Sequence, residues 1–303
     1  QELGHQMKGA IALIALLAGA LPATAQSVDG SFFYSRDSDS FEELRVGGGW
    51  TAANGLGIAA AGVRYAAPGW SENGTLPAGT YKQTTRNRQF DASIGALDLA
   101  GRVYAVGVLD VLQRWESGNA FGFSAERNIV NSQGGIEDRI TQNTAVLVGD
   151  YLFTPQFNVG LAGGLTYFSD GNTRPVLRTR WNYELVADYG LNAYLKTRSY
   201  TNSDPGRPQY YSPSRLNEAS LGLSARWLAQ EQVVVSAWAD AGVQSTSDDS
   251  EPIWSVFVGL ASPRSAAIRW NVGVLGTNTS SFLTTQSGAY RYLSATAQIN
   301  VPF

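Results

Sequence analysis

Arg174, Arg178 and Arg180 share one parity within a stretch, 173–189, where apolar and polar residues take turns. Leu177, Thr179, Trp181, Tyr183, Leu185 and Ala187 hold the odd positions. Arg174, Arg178, Arg180, Asn182, Glu184 and Asp188 hold the even ones. Successive side chains of an extended chain point to opposite faces, so the six polar residues fall on one side. Later stretches add Tyr194, Lys196, Arg198, Glu218, Arg226, Trp238, Asp240 and Arg269 to the polar side, with Arg45 and Glu126 earlier in the chain. Guanidinium, ammonium and carboxylate groups bond hydroxyls and anions, and charge makes those bonds strong. Aromatic rings stack on the C–H faces of sugars. Together they suit a path for a polysaccharide. The same residues have a plainer use: the arginines pair with Glu184, Asp188 and Glu218 and fill an interior.

Catalysis finds little support. The one histidine is His5, and cysteine is absent. Ser-His and Cys-His nucleophilic pairs, Asp-His pairs, and imidazole or thiolate metal sites are therefore excluded from the chain beyond residue 5. No cofactor or metal is expected. Hydrolysis by carboxylates alone stays formally open, but Glu42-Glu43 and Asp248-Asp249 read as solvated charges at strand starts or in loops. Gly47-Gly48-Gly49 precedes no helical pattern and reads as a strand bend rather than a phosphate loop. A formal charge of −3 and a pI near 5.3 argue against a nucleic-acid partner.

The elements that must position the polar side are strands. A mean hydropathy of −0.14 flags no membrane helix, but a barrel hides this way because only alternate residues meet lipid. Met7 and Lys8 precede an apolar run, Gly9 to Ala20, and then Leu21-Pro22-Ala23-Thr24-Ala25. This predicts a signal peptide over 7–25, cut after Ala25, with residues 1–6 upstream of the expected start and a barrel over 26–303. The run is shorter than the roughly 20 residues a spanning helix needs.

From Gln26 onward, strand-like runs alternate with turn chemistry: 29–37, 41–53, 56–68, 102–113, 119–131, 136–153, 156–168, 173–189, 191–203, 217–229, 231–246, 252–262, 265–278 and 288–303. Some joints are as tight as Asn54-Gly55 and Thr154-Pro155. Others are longer polar loops, such as 69–84 and 201–216. The expectation is an all-β protein: a single transmembrane antiparallel barrel of about 14 strands, with 16 as the alternative. The ambiguous part is 84–113, which reads as one long strand or as a hairpin at Ala100-Gly101. An even count favours the single strand.

The last strand decides for a barrel over a soluble sandwich. Leu293, Ala295, Ala297, Ile299, Val301 and Phe303 alternate without a break with Tyr292, Ser294, Thr296, Gln298 and Asn300. An apolar face ending in a terminal aromatic resembles the C-terminal recognition strand of bacterial outer-membrane barrels. On that resemblance, Val301 and Phe303 are the assembly signal, read by the barrel-assembly machinery, and the apolar face meets outer-membrane lipid.

A second resemblance lies between about 120 and 228. It rests on Glu126-Arg127-Asn128-Ile129-Val130-Asn131, Phe168-Ser169-Asp170-Gly171-Asn172-Thr173-Arg174, and Tyr210-Tyr211-Ser212-Pro213-Ser214-Arg215 with Glu218. Their order resembles the barrel of outer-membrane exopolysaccharide exporters: the poly-N-acetylglucosamine export porin, the cellulose-synthase operon protein C barrel and the YaiO-type barrels. The resemblance implies a non-catalytic conduit for a polysaccharide. The large exporters carry a periplasmic tetratricopeptide superhelix before the barrel. This chain has none there, which implies a separate tetratricopeptide-repeat partner. A structural or adhesive surface protein with a filled lumen and a small-solute porin are the rival readings.

Overall fold

The computed structural model describes residues 25–229, 231–247, 249–279 and 290–303. The expected signal segment lies outside these residues, apart from Ala25, which opens the first strand. Sixteen strands follow in chain order. They are β1 (Ala25–Asp37), β2 (Glu42–Ala52), β3 (Leu56–Ala67), β4 (Trp70–Thr84), β5 (Arg88–Leu99), β6 (Arg102–Arg114), β7 (Ala120–Ile129) and β8 (Thr141–Thr154). The second half holds β9 (Phe157–Phe168), β10 (Thr173–Val186), β11 (Leu191–Thr201), β12 (Arg215–Ala229), β13 (Val233–Thr246), β14 (Ser250–Ala261), β15 (Arg269–Thr277) and β16 (Tyr292–Pro302). Each pairs antiparallel with its neighbours, and β1 pairs with β16 to close the barrel. Closure satisfies every edge, as a sheet in lipid requires.

The count is 16, the alternative rather than the first expectation. The stretch 69–84, read as a loop, holds β4 (Trp70–Thr84). The single long strand over 84–113 is in fact the hairpin β5–β6. Its turn is at Ala100-Gly101, both with positive φ (53° and 69°), the geometry of a tight two-residue hairpin. Strand β4 was hidden because its pattern is inverted. Its outward positions are small or polar: Ser71, Asn73, Thr75, Pro77 and Gly79. Trp70 and Leu76 turn inward against an apolar cluster. Pro77 has no N–H to donate, and the β4–β5 ladder skips from Thr75↔Asp98 to Ala78↔Gly95 around it.

Elsewhere the alternation places side chains as expected. Leu177, Trp181 and Leu185 are exposed on the outer wall, as are Leu221, Leu223, Val256, Val258 and Ile299. The two long connections that are fully described, 130–140 and 202–214, both lie at the rim opposite the chain termini. Short turns on one rim and long loops on the other are the pattern of membrane barrels, in which the short-turn rim faces the periplasm. The 130–140 connection carries the one short helix among the described residues, α1 (Gln133–Glu137), capped by the Ser132 side chain. It occupies the start of the strand expected over 136–153.

This connection does not stand out from the rim. Asn131 Nδ2 donates to Glu43 Oε2 of β2 at 2.5 Å, five strands round the barrel from the end of β7. Ile136 packs with Phe41, Val63, Tyr65, Leu97 and Leu99. The loop therefore crosses the lumen on a chord and fills its β2–β6 side with a dry cluster. Glu43 is 3 % exposed and also accepts from Arg45 Nη2 at 2.7 Å. The expectation of a solvated Glu43 is corrected: its neighbours bury it.

Candidate functional site: the basic wall of the lumen

The remaining side of the lumen, β8–β13, carries most of the expected charged residues; Arg45 and Glu126 stand on β2 and β7. Three rows run across the strands. Arg178 stands opposite Arg198, then Glu218, then Gln244. Asp150 stands opposite Gly160, then Arg180, Lys196, Ser220 and Gly242. Asn182 stands opposite Tyr194, Gly222 and Asp240. Two of these rows set like charges side by side, Arg178 with Arg198 and Arg180 with Lys196. Like charges directly opposite destabilise a sheet. Acids pair with two of these bases from the far side: Arg198 Nη2 to Glu218 Oε1 is 2.5 Å, and Lys196 Nζ to Asp240 Oδ2 is 2.7 Å.

Rings lie among the charges. Arg180 sits 3.9 Å from the centroid of the Tyr194 ring, and Tyr194 donates to Asp240 Oδ2 at 2.9 Å. Gly222 makes this possible, because a Cβ there would lie 2.5 Å from Tyr194 Cζ. Lys196 Nζ lies 5.5 Å from the Trp238 ring, which stacks on Phe257 at 5.8 Å. A cavity of about 410 Å³ opens between Asp150, Arg178, Arg180, Lys196, Glu218 and Ser220, with Thr279 of the β15–β16 connection reaching into it. Ser220 Oγ and Asp240 Oδ1 are buried with no hydrogen-bond partner among the described residues. Such atoms are spare bonding capacity for a ligand hydroxyl.

Arg174 sits above the rows in a cage. Its guanidinium lies 4.7 Å from the Tyr200 ring, 5.0 Å from Phe168 and 6.0 Å from Tyr210. It donates to Asn202 Oδ1 and to the Tyr211 carbonyl. Over it closes the 202–214 loop, knotted by Asn172, which is fully buried. Asn172 donates to Asn202 Oδ1 and Tyr210 Oη and accepts from Ser203 Oγ and the Asp204 amide. Tyr210 stacks on Phe168 at 4.6 Å and donates to Asp170. Burial, with Asp170 alongside, pushes the Tyr210 hydroxyl up to about 12. Ser132 Oγ donates to the Gln209 carbonyl, and Gln209 donates to Asp138, so the two long loops clasp one another.

The structure thus gathers Arg178, Arg180, Tyr194, Lys196, Arg198, Glu218, Trp238 and Asp240, with Arg174 just above. It leaves Asp188, Arg226 and Arg269 outside that group. Asp188 is not a strand residue: β10 ends at Val186 and Ala187–Tyr189 form a 3-10 turn at the termini rim. The alternation breaks there because the register shifts between Glu184 and Val186. Arg226 and Arg269 lie near the same rim, opposite Ser236 and Asn300. Asp150, Ser220, Tyr200 and Asn172 are additions. Parity could have found Asp150 and Ser220, whereas Tyr200 and Asn172 depend on how the loops fold.

No family model matches the chain, and no curated protein matches it. Among solved structures, it is similar to a bacterial polysaccharide outer membrane secretin, with a TM-score of 0.72 and 12% identity over 93% of this chain and 100% of that one. The fold is that of a bacterial outer-membrane barrel. Fainter likenesses extend to OccK11 of Pseudomonas aeruginosa (TM-score 0.46, 9% identity, 92% of this chain, 96% of that one) and OmpT of Vibrio cholerae (0.44, 10%, 92% and 99%). The exposed apolar side chains of the outer wall are accordingly its lipid-facing surface.

Proposed function

We propose that this barrel is a conduit for a polysaccharide, neutral or anionic, across the outer membrane. The observation that carries the reading is the pair of like-charge rows, Arg178–Arg198 and Arg180–Lys196, held on a wall that also presents Tyr194 and Trp238. Packing alone does not call for four adjacent bases, since like charges repel across strands. A ligand bearing carboxylates or many hydroxyls offsets that repulsion, and rings of basic side chains favour anions in a pore. The similarity to a polysaccharide secretin supports the fold side of this reading, and the sequence resemblance to exopolysaccharide exporters supports its cargo. Transport along a wall needs no chemical step. A separate periplasmic repeat protein would deliver the polymer, and the barrel-assembly machinery would insert the chain.

Planar-bilayer recording tests it. The purified barrel should conduct with anion preference, fall toward neutrality in Arg178→Ser/Arg180→Ser, and be blocked by acidic oligosaccharide from the periplasmic side. Absence of conductance, with surface polysaccharide unchanged in a deletion strain, would replace the conduit with the rival reading. In that rival the barrel is a filled surface protein, favoured by the two loops that clasp over the lumen.

A further inference from the structure

The outer wall holds one feature that conduction does not use. Arg127 has the parity of Phe121 and Phe123, both exposed on the lipid-facing side. It is an exposed cation on that wall. Its side chain donates from Nε to the Ala105 carbonyl at 3.0 Å and from Nη1 to Asn143 Oδ1 at 2.7 Å. Both acceptors are neutral, and among the described residues no carboxylate lies within ion-pair distance. Arg36, which also faces outward, differs: it pairs with Glu42 at 3.5 Å. A charged side chain facing hydrocarbon is costly unless it reaches the interface or a counter-ion.

Arg127 also heads a groove. Across the strands it stands in one row with Ile94, Gly107, Asn143 and Tyr167. A concavity of about 580 Å³ opens there, floored by Ala105, Gly107, Ala125 and Ala145 and walled by Ile94 and Leu165. The geometry is polar at one end only. Strand β7 climbs from the termini rim at Ala120 to the far rim at Ile129, so Arg127 is shallow and Ala125 is deeper in the membrane. Tyr167 lies at the shallow level, where amphipathic rings sit at an interface. The groove thus offers a cation at outer-leaflet headgroup height and an apolar trough leading inward.

We infer that this groove binds one outer-leaflet lipid, a phosphorylated and acylated glycolipid, with a phosphate against Arg127 and Asn143 and an acyl chain over Ala125 and Ala145. The phosphate supplies the missing counter-ion through charge-assisted bonds to the guanidinium. The small floor lets the chain lie close to the backbone, as small residues do for helices in membranes. The inference is independent of what passes through the lumen.

Native mass spectrometry of the full-length barrel, folded in detergent and titrated with bisphosphorylated lipid A, tests it. The wild type should retain lipid A, with about tenfold less retained by Arg127→Gln, as expected for losing a charge-assisted contact. Filling the trough with Ala125→Trp should lower retention while leaving the Arg127 charge in place. Arg64→Gln, on β3 with the outward parity of exposed Ile58 and away from the groove, should not change it. Equal retention by Arg127→Gln and wild type, or equal retention of dephosphorylated lipid A, would overturn the proposal. So would equal retention of phosphatidylglycerol, which would mean that any anionic lipid suffices. If Arg127→Gln fails to fold, Ala125→Trp and the dephosphorylated lipid decide.

Discussion

The guanidinium of Arg180 lies over Tyr194, 3.9 Å from the ring centroid, while the hydroxyl of the same ring holds Asp240 two strands away. One side chain therefore links a base and an acid that do not touch. Tyr194→Phe keeps the ring and loses the hydroxyl bond. It should lower stability by about 1.5–2 kcal/mol, the low end for a bond to a charged acceptor, because Lys196 still holds Asp240. Anion preference should stay put. Asp240→Asn instead leaves Lys196 without its acid, and anion preference should rise. Urea unfolding followed by Trp fluorescence and reversal potentials in a salt gradient check the two. A fall in anion preference in Asp240→Asn would contradict the placement of this acid on the conducting wall.

Asn172 is the knot of the loop clasp. Asn172→Ala removes bonds to Asn202, Tyr210, Ser203 and the Asp204 amide. Leaving buried partners unsatisfied costs about 1–3 kcal/mol for each group so exposed. The expected result is faster proteolysis within 202–214 with the barrel itself intact. Unchanged cleavage would show that the Phe168–Tyr210 stack alone holds the loop.

Lipid-facing and lumen-facing positions alternate along β12, so neighbours should differ sharply. Leu221, 69 % exposed near the middle of the strand, should cost roughly 2–4 kcal/mol as Leu221→Arg. Ser224→Arg, on the lumen side, should cost far less. Equal costs in reversible folding into vesicles would mean that the wall is not in hydrocarbon at that level.

The end of the chain is tied to its beginning. The Phe303 amide donates to the Gln26 carbonyl at 2.9 Å, and Val301 pairs with Val28. The Phe303 ring is exposed on the outer wall, where a recognition factor can reach it. Deleting Phe303 should lower the amount of folded, heat-modifiable protein in the membrane. Normal assembly would remove Val301 and Phe303 from the role of signal.

Strands β10, β12 and β16 were legible because their two faces differ in polarity over many residues. Strand β4 was not. Its inner face packs on a dry cluster and its outer face is small and polar, so alternation argued the wrong way. The basic wall was legible as a set of residues but not as rows. Arg178 meets Arg198 only once the register of β10 on β11 is known. Least legible was the Asn131–Glu43 contact, which joins residues far apart in the chain across a space that exists only after closure. No local pattern encodes a chord.

That chord has a consequence for anything moving through. In the proposed conduit, with Ile136 and its neighbours occupying one flank, a traveller would be guided as by a handrail rather than a sleeve. Only the edge turned to Arg178, Arg180 and Lys196 would be inspected. Decoration on the opposite edge would pass unread, so tolerance for substituents should itself be lopsided.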